Sequence, residues 1–220
     1  MITFGIITNK FVDYRILSSI MKYGFTDQKD NIIIVGGNNN EYYSNFNLMY
    51  VSFNEIYKNN DKKKGWITRK KNIITENSNN DIIVYMHDYI ALDPGWRKGF
   101  DRFNKEYAWD VAMNRINNTD NTRYRDWVIW DDPDYTGFPQ TSLPSYNYNK
   151  TQYMYISGAY WVAKKYVMQD LPLNEDLYWC DGEDVEWSKR MINKYRYVFN
   201  PYSQVNLLKY KDVISRKFYD

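Results

Sequence analysis

The 220-residue chain has one histidine, His87, and one cysteine, Cys180. No disulfide can form within it, because a bridge needs two thiols. Zinc sites built from several Cys or His ligands are excluded. A Ser-His-Asp or Cys-His centre would have to use His87, and a two-histidine proton shuttle cannot exist. Long apolar runs are also missing. The longest, IIIV at 32–35 and IIVYM at 82–86, are strand-sized, far short of the roughly 20 residues a membrane helix needs. The start, MITFGIITNK, lacks a basic segment followed by a long apolar one. With a lone thiol fitting a reducing compartment, a cytoplasmic protein with no signal peptide or transmembrane segment is expected. Excess charge of one sign is missing too: the net charge is +2. No global field for nucleic acid is indicated.

Carboxylates and aromatic rings are abundant. There are 27 Asp and Glu residues, 23 Tyr, 10 Phe and 8 Trp. Any catalysis should therefore run on carboxylates, hydroxyls and a hard metal ion. The charges are also unevenly spread. Residues 58–72 (KNNDKKKGWITRKKN) hold seven basic residues and one acid, whereas 167–188 hold seven acids and no Lys or Arg. Solvated surface explains both runs. An anion facing one and a cation facing the other explains them equally. Heavy use of Asn, Lys, Ile and Tyr fits an AT-rich coding sequence.

Short apolar runs alternate with helical stretches in the first half. Ile2–Thr8, Asn31–Val35, Leu48–Phe53 and Asp81–His87 read as strands. Phe11–Gly24 and Trp66–Asn77 read as helices. Asp93 and Pro94 read as the N-cap and first turn of a helix reaching about Asn104. Trp109–Asn114 reads as a strand. Residues 115–150 are polar, aromatic and turn-rich, as in a functional loop. Tyr153–Ser157 and Tyr195–Phe199 then read as strands, and Ala163–Gln169 and Gly182–Asn193 as helices. The pattern predicts one α/β domain over 1–220, with a mostly parallel sheet flanked by helices.

Several places carry chemistry. An apolar strand delivers His87 and Asp88 to its carboxyl end, where open α/β sheets bind ligands. A carboxylate there can hold Mg2+ or Mn2+ against a diphosphate, or simply cap a turn. In WCDGEDVEWSKR, Asp181 reads as an N-cap, with Glu183 and Asp184 in a first turn that favours anions. Glu186 and Arg190 form an i,i+4 pair. Alternatively, one first-turn carboxylate faces a cleft as a general base. The cations at 69–71 start a helix and so oppose its dipole, which an anionic ligand would explain. Trp127, Trp130, Tyr135, Phe138, Tyr146 and Tyr148 sit in the polar loop, with Trp161 and Trp179 nearby. Aromatic faces suit sugar rings and bases, and they also pack cores.

The order of these features resembles the GT-A glycosyltransferases, and within them the family-2-like group. The resemblance rests on a basic-x-x-Asn helix, the strand end MHDYIALDPGW, Ile156-Ser157-Gly158-Ala159, Asn174-Glu175 and Asp181-Gly182-Glu183-Asp184. It implies a nucleotide-binding half over about 1–90 and an acceptor and catalytic half over about 91–220. It implies that Ile7, Thr8 and Asn9 border the nucleoside, and that Gly36, Gly37 and Asn38 lie under the base. Arg69 and Asn72 would support the donor. His87, Asp88 and Tyr89 would occupy the acidic-triplet position, with Asp88 holding Mn2+ or Mg2+. Gly158 and Ala159 would leave room for the donor sugar. Asp184 would be the base and Glu183 would orient a substrate. The implied activity is inverting transfer from a nucleotide-sugar, UDP-linked, to a hydroxyl of a glycan or glycoconjugate, with no nucleic-acid partner. Trp127, Trp130, Tyr135 and Trp179 are the acceptor-side candidates. The triplet departs from the pattern in lacking its last acid, and the second strand ends in Gly-Gly-Asn rather than an acid. Two other readings stay open. One is a sugar-phosphate nucleotidyltransferase, although Thr8-Asn9-Lys10-Phe11 is not a Gly-rich phosphate loop. The other is a non-catalytic carbohydrate-binding domain.

Overall fold

A computed structural model of the chain describes residues 1–55, 65–130, 132 and 143–212. Among these, the strands are β1 (Ile2–Ile7), β2 (Asn31–Val35), β3 (Leu48–Val51), β4 (Ile82–His87), β5 (Ile90–Leu92), β6 (Val111–Asn117), β7 (Val128–Ile129), β8 (Met154–Tyr155), β9 (Tyr160–Lys164) and β10 (Tyr197–Leu207). The helices are α1 (Tyr14–Tyr23), α2 (Ile67–Asn77), α3 (Trp96–Glu106), α4 (Lys165–Asp170) and α5 (Glu183–Met191). None of them is long and apolar enough to cross a membrane.

Eight strands form one sheet in the order β3-β2-β1-β4-β9-β6-β10-β5, and β7 and β8 pair separately. The pairings β1–β2, β1–β4, β2–β3 and β6–β10 are parallel. β9 is antiparallel to both β4 and β6, and β5 is antiparallel to β10. Six strands thus run one way and two the other. The carboxyl ends of β1 and β4 lie side by side, since Ile7 pairs with His87.

The apolar runs explain the sheet. ITFGII is buried at every position, as expected of a strand covered on both faces. Gly5 lets α2 rest on the β1 backbone, because a Cβ there would lie 2.3 Å from Ile74 Cγ2. That close approach aims the start of α2 at the strand ends. Stacked pairs Tyr85–Trp161 and Trp96–Phe100, at 4.7 and 5.2 Å, fill the core. Asp30, wholly buried, accepts from the Ile2 and Thr26 backbone N–H groups and from Arg97. This pins the start of β1 to α3.

Two expected helix caps differ from the structure. Gly95 and Gly182, with φ of +89° and +76°, take the N-cap positions of α3 and α5. The Asp93 carboxylate instead accepts from Asn206, and that of Asp181 from the Tyr178 backbone N–H. Glycine reaches the left-handed region without steric cost, so the turn geometry outranks the side-chain cap. Strands β5 and β9, unexpected from the sequence, both insert antiparallel.

Candidate active site

At the carboxyl ends of β1 and β4 lies a cavity of about 560 Å3, lined among others by Thr8, Asn9, Lys70, Asp88, Trp179 and Lys209. The Thr8 hydroxyl donates to Asp88 Oδ2 at 2.6 Å and accepts from the Lys10 backbone N–H. The strand-end positions thus gather one carboxylate and one hydroxyl where an α/β sheet binds ligands. A larger cavity of about 920 Å3, lined by Trp127, Tyr146, Phe199 and Tyr202, shares no residue with it.

Helix α2 supplies the cations, through residues other than those expected. Lys70 is buried. It donates to the Thr8 carbonyl at 2.9 Å and to the Asn9 side chain, and it pairs with Glu55. Burial lowers its pKa, against the pull of Glu55 and Asp88. Lys71, equally buried, donates to the Gly158 carbonyl at 2.9 Å and lies 4.5 Å from the Trp161 ring centre. Arg69 and Asn72 turn the other way. Arg69 pairs with Glu76 and Glu175 at 2.5 and 3.1 Å. Asn72 donates to the Leu173 carbonyl and to Glu175, and accepts from the Leu173 N–H. They hold the 173–175 segment and do not line the cavity.

Glu183 and Asp184 open α5 beneath Gly158. Asp184 is half-buried. Its Oδ2 accepts from the Gly158 N–H at 3.1 Å and its Oδ1 from the Val185 N–H at 2.9 Å. Burial raises its pKa, opposed by Lys71 and these N–H groups. Glu183 is 6% exposed. Burial first, and then the Asp184 charge, push its carboxyl up to about 8. Lys71 feels the reverse: burial lowers it while both carboxylates raise it. A Cβ at Gly158 would lie 3.0 Å from Asp184 Oδ2 and 3.3 Å from Glu183 Oε1. Only glycine leaves this contact relaxed. Two adjacent carboxyls in different environments can divide their roles, one holding a proton and one free to take it.

His87 is held well below its usual range by burial and by the charges of Lys71, Lys211 and Lys70. It enters the site as a neutral ring, 5.3 Å from Tyr89. Among the described residues no group of three His, Cys, Asp or Glu side chains could hold a cation alone. One carboxylate beside a cavity still fits a hard ion, because Mg2+ commonly takes one or two carboxylates and completes its shell with substrate phosphates and water.

The remaining expected residues divide between support and packing. Gly36 and Gly37 have φ of +89° and +65°. A Cβ at Gly37 would lie 2.0 Å from the Lys10 carbonyl, which also accepts from the Asn38 N–H. This turn buttresses residues 8–10, and neither Gly37 nor Asn38 lines the cavity. The Ala159 carbonyl accepts from the His87 N–H at 3.0 Å. Trp127 is 2% exposed, packs on Tyr197 and Phe199, and donates to the Tyr148 carbonyl. Trp130 stands edge-on to Tyr155. Neither lines the strand-end cavity. Tyr135 and Phe138 lie outside the described residues. Trp179 alone of the acceptor-side candidates lines the strand-end cavity, at 39% exposure. Lys70 and Lys71 stood out in the sequence only as part of the basic run, and Lys209 and Lys211 did not stand out at all. The alternation in LLKYK after an apolar strand was their one available signal.

The sequence matches no family model and no curated protein. Solved structures do match its fold. S. aureus TarS 1–349 superposes with a TM-score of 0.62 at 12% identity, over 92% of this chain and 59% of that one. The same protein in complex with UDP-GlcNAc gives 0.63 and 12%, over 98% and 60%. GalNAc-T7 with UDP, GalNAc and Mn2+ gives 0.64 and 14%, over 96% and 43%. The chain therefore spans about 60% of the length of the TarS structures and less than half of GalNAc-T7. The fold they share with it is the GT-A fold, an α/β domain built on a mixed sheet.

Proposed function

We propose that this chain transfers a sugar from a nucleoside-diphosphate donor, UDP-linked, to a hydroxyl of a glycan or glycoconjugate, with inversion. The observation that carries the reading is the half-buried Asp184 carboxylate, fixed by two backbone N–H groups under Gly158 in a GT-A fold. The UDP and UDP-GlcNAc complexes of TarS support the donor class.

Asp184 takes the proton of the acceptor hydroxyl. The hydroxyl oxygen bonds to the anomeric carbon, and the bond from that carbon to the diphosphate oxygen breaks with its electron pair on the diphosphate. One displacement with one base inverts the carbon. A raised pKa brings Asp184 nearer neutrality, where a general base works best and contributes roughly 10²- to 10⁴-fold in rate. Glu183, protonated at neutral pH, offers a hydrogen bond and leaves Asp184 as the base. Thr8 fixes the Asp88 carboxylate in the cavity. Asp88 is the residue that would hold Mn2+ or Mg2+, and such an ion would supply charge neutralisation on the leaving group. Trp179 gives the acceptor side an aromatic face.

A thermal-shift panel of nucleotides and nucleotide sugars, with and without Mn2+, tests the class. UDP-type ligands should raise Tm, and no response to any nucleotide would overturn the reading. Asp184→Asn should keep its melting temperature and its donor shift while losing transfer by at least a hundredfold. Near-normal turnover in that variant would remove Asp184 from the chemistry.

A further inference from the structure

The segment after β10 brings two lysines to the strand-end cavity. Leu207 pairs with Ile90 of β5, so residues 208–211 leave the sheet beside the Asp88-Tyr89 turn that joins β4 to β5. The segment is fastened at both ends. The Leu208 N–H donates to the Tyr89 carbonyl at 2.9 Å. The Lys211 N–H donates to Asn118 Oδ1 at 2.9 Å, and Asn118 Nδ2 returns a bond to the Lys211 carbonyl at 3.0 Å. Between these ties, Lys209 lines the cavity together with Thr8 and Asp88. The ammonium groups of Lys211 and Lys209 lie 3.4 and 5.3 Å from the centre of the Tyr89 ring.

The charge balance here is lopsided. Lys10, Lys70 and Lys209 line the cavity with Asp88, Lys211 feels the Asp88 charge, and the cavity's other carboxylate, Asp13, is taken by Arg15. Lys70 has Glu55 as a partner. Among the described residues no carboxylate pairs with Lys209 or Lys211. Holding like charges together in a partly buried place is unfavourable unless an anion joins them. The repulsion is felt locally: burial and Lys209 depress Lys211 to about 8, against the pull of Asp88.

We infer that Lys209 and Lys211 form an anion site for the diphosphate of the nucleotide donor, and that they hold it without a divalent ion. The inference rests on the donor reading above and deepens it. Lysine ammonium groups serve phosphate as mobile point charges. They stand over Tyr89, the position at which the His87-Asp88-Tyr89 triplet lacks its last acid. The pair thus completes, with positive charge from the protein, a site that has one carboxylate for an ion.

Titration calorimetry of UDP and of uridine, on the full chain in EDTA and in Mn2+, tests this. Wild type should bind UDP in EDTA within about tenfold of its affinity in Mn2+. Lys209→Ala/Lys211→Ala should lose at least tenfold for UDP in EDTA with uridine binding unchanged, and Lys209→Arg/Lys211→Arg should restore it. If the double variant melts early, Lys209→Gln, which alters one exposed side chain, should still weaken UDP severalfold. Wild type binding UDP only with Mn2+ would overturn the inference and leave the donor reading standing. Equal UDP affinity in the alanine variant would do the same. Binding of no nucleotide under either condition would remove both.

Discussion

Replacing Glu183 with glutamine tests whether the carboxyl pair at the start of α5 carries a proton at neutral pH. Glu183 moves from an ordinary 4.5 to about 8, through burial and then the Asp184 charge. The folded pKa lies above the unfolded one, so the fold binds the extra proton. Stability from this group is complete below about pH 4.5 and falls as pH rises through about 8. Each pKa unit corresponds to about 1.4 kcal/mol, so the window holds about 5 kcal/mol as an upper bound. For a domain of this size that is roughly 10 °C in Tm. Glutamine has the shape of the protonated acid and stays neutral at every pH, while Asp184 titrates in both proteins. Circular-dichroism melts at fixed ionic strength, from pH 4.5 to 9, should coincide at pH 5. They should then separate by several degrees at pH 8.5, with the variant the more stable. Parallel curves would refute a raised Glu183, and with it the division of roles between the two carboxyls.

Further consequences follow from neighbouring contacts. Gly158→Ala places a methyl 3.0 Å from Asp184 Oδ2, an oxygen that Gly158 itself holds. The variant should lose about 1–3 kcal/mol in chemical denaturation and a larger share of its transfer rate; unchanged kinetics would show that the carboxylate can move freely. Asn72→Ala removes both bonds to the Leu173 backbone. It should cost about 1–3 kcal/mol and leave UDP affinity within twofold. A selective loss of UDP binding would return Asn72 to the donor site.

The parts of the fold visible in the sequence are those decided by continuous burial. β2 has its expected bounds, and β1 and β4 differ from theirs by one residue, because apolar runs buried on both faces leave little choice. β9 and β5 were hidden for different reasons. β9 follows Ser-Gly-Ala and merges into α4 without a turn residue, and β5 is three residues long. Its pairing with β10 is a long-range fact that no local pattern records. Asp93 and Asp181 looked like caps because short acids before a helix commonly are. The glycines that displaced them were visible, but their positive φ was not. In the site, the strand end and the α5 carboxylates were legible because sequence places them directly. Which of Arg69, Lys70, Lys71 and Asn72 face the cavity depends on how α2 is rotated about its axis, and Gly5 against Ile74 sets that rotation.

The basic and acidic runs belong to one arrangement. Cations at a helix start oppose the dipole, and α2 carries three in succession after Ile67 and Thr68. Each faces acids: Arg69 faces Glu76 of the same helix and Glu175, Lys70 faces Glu55, and Lys71 the Glu183–Asp184 pair. The acid-rich stretch at 167–188 thus supplies much of the compensation for the α2 cations. It follows that these cations, the most conspicuous anion-binding signal in the sequence, are largely matched inside the fold. Lys71 instead acts on the charge of the Glu183–Asp184 pair. Positive charge without a described carboxylate partner comes from the opposite end of the chain, at Lys209 and Lys211. A ligand anion at Asp88 would therefore draw on Lys209 and Lys211, with Lys70 of α2 lining the same cavity.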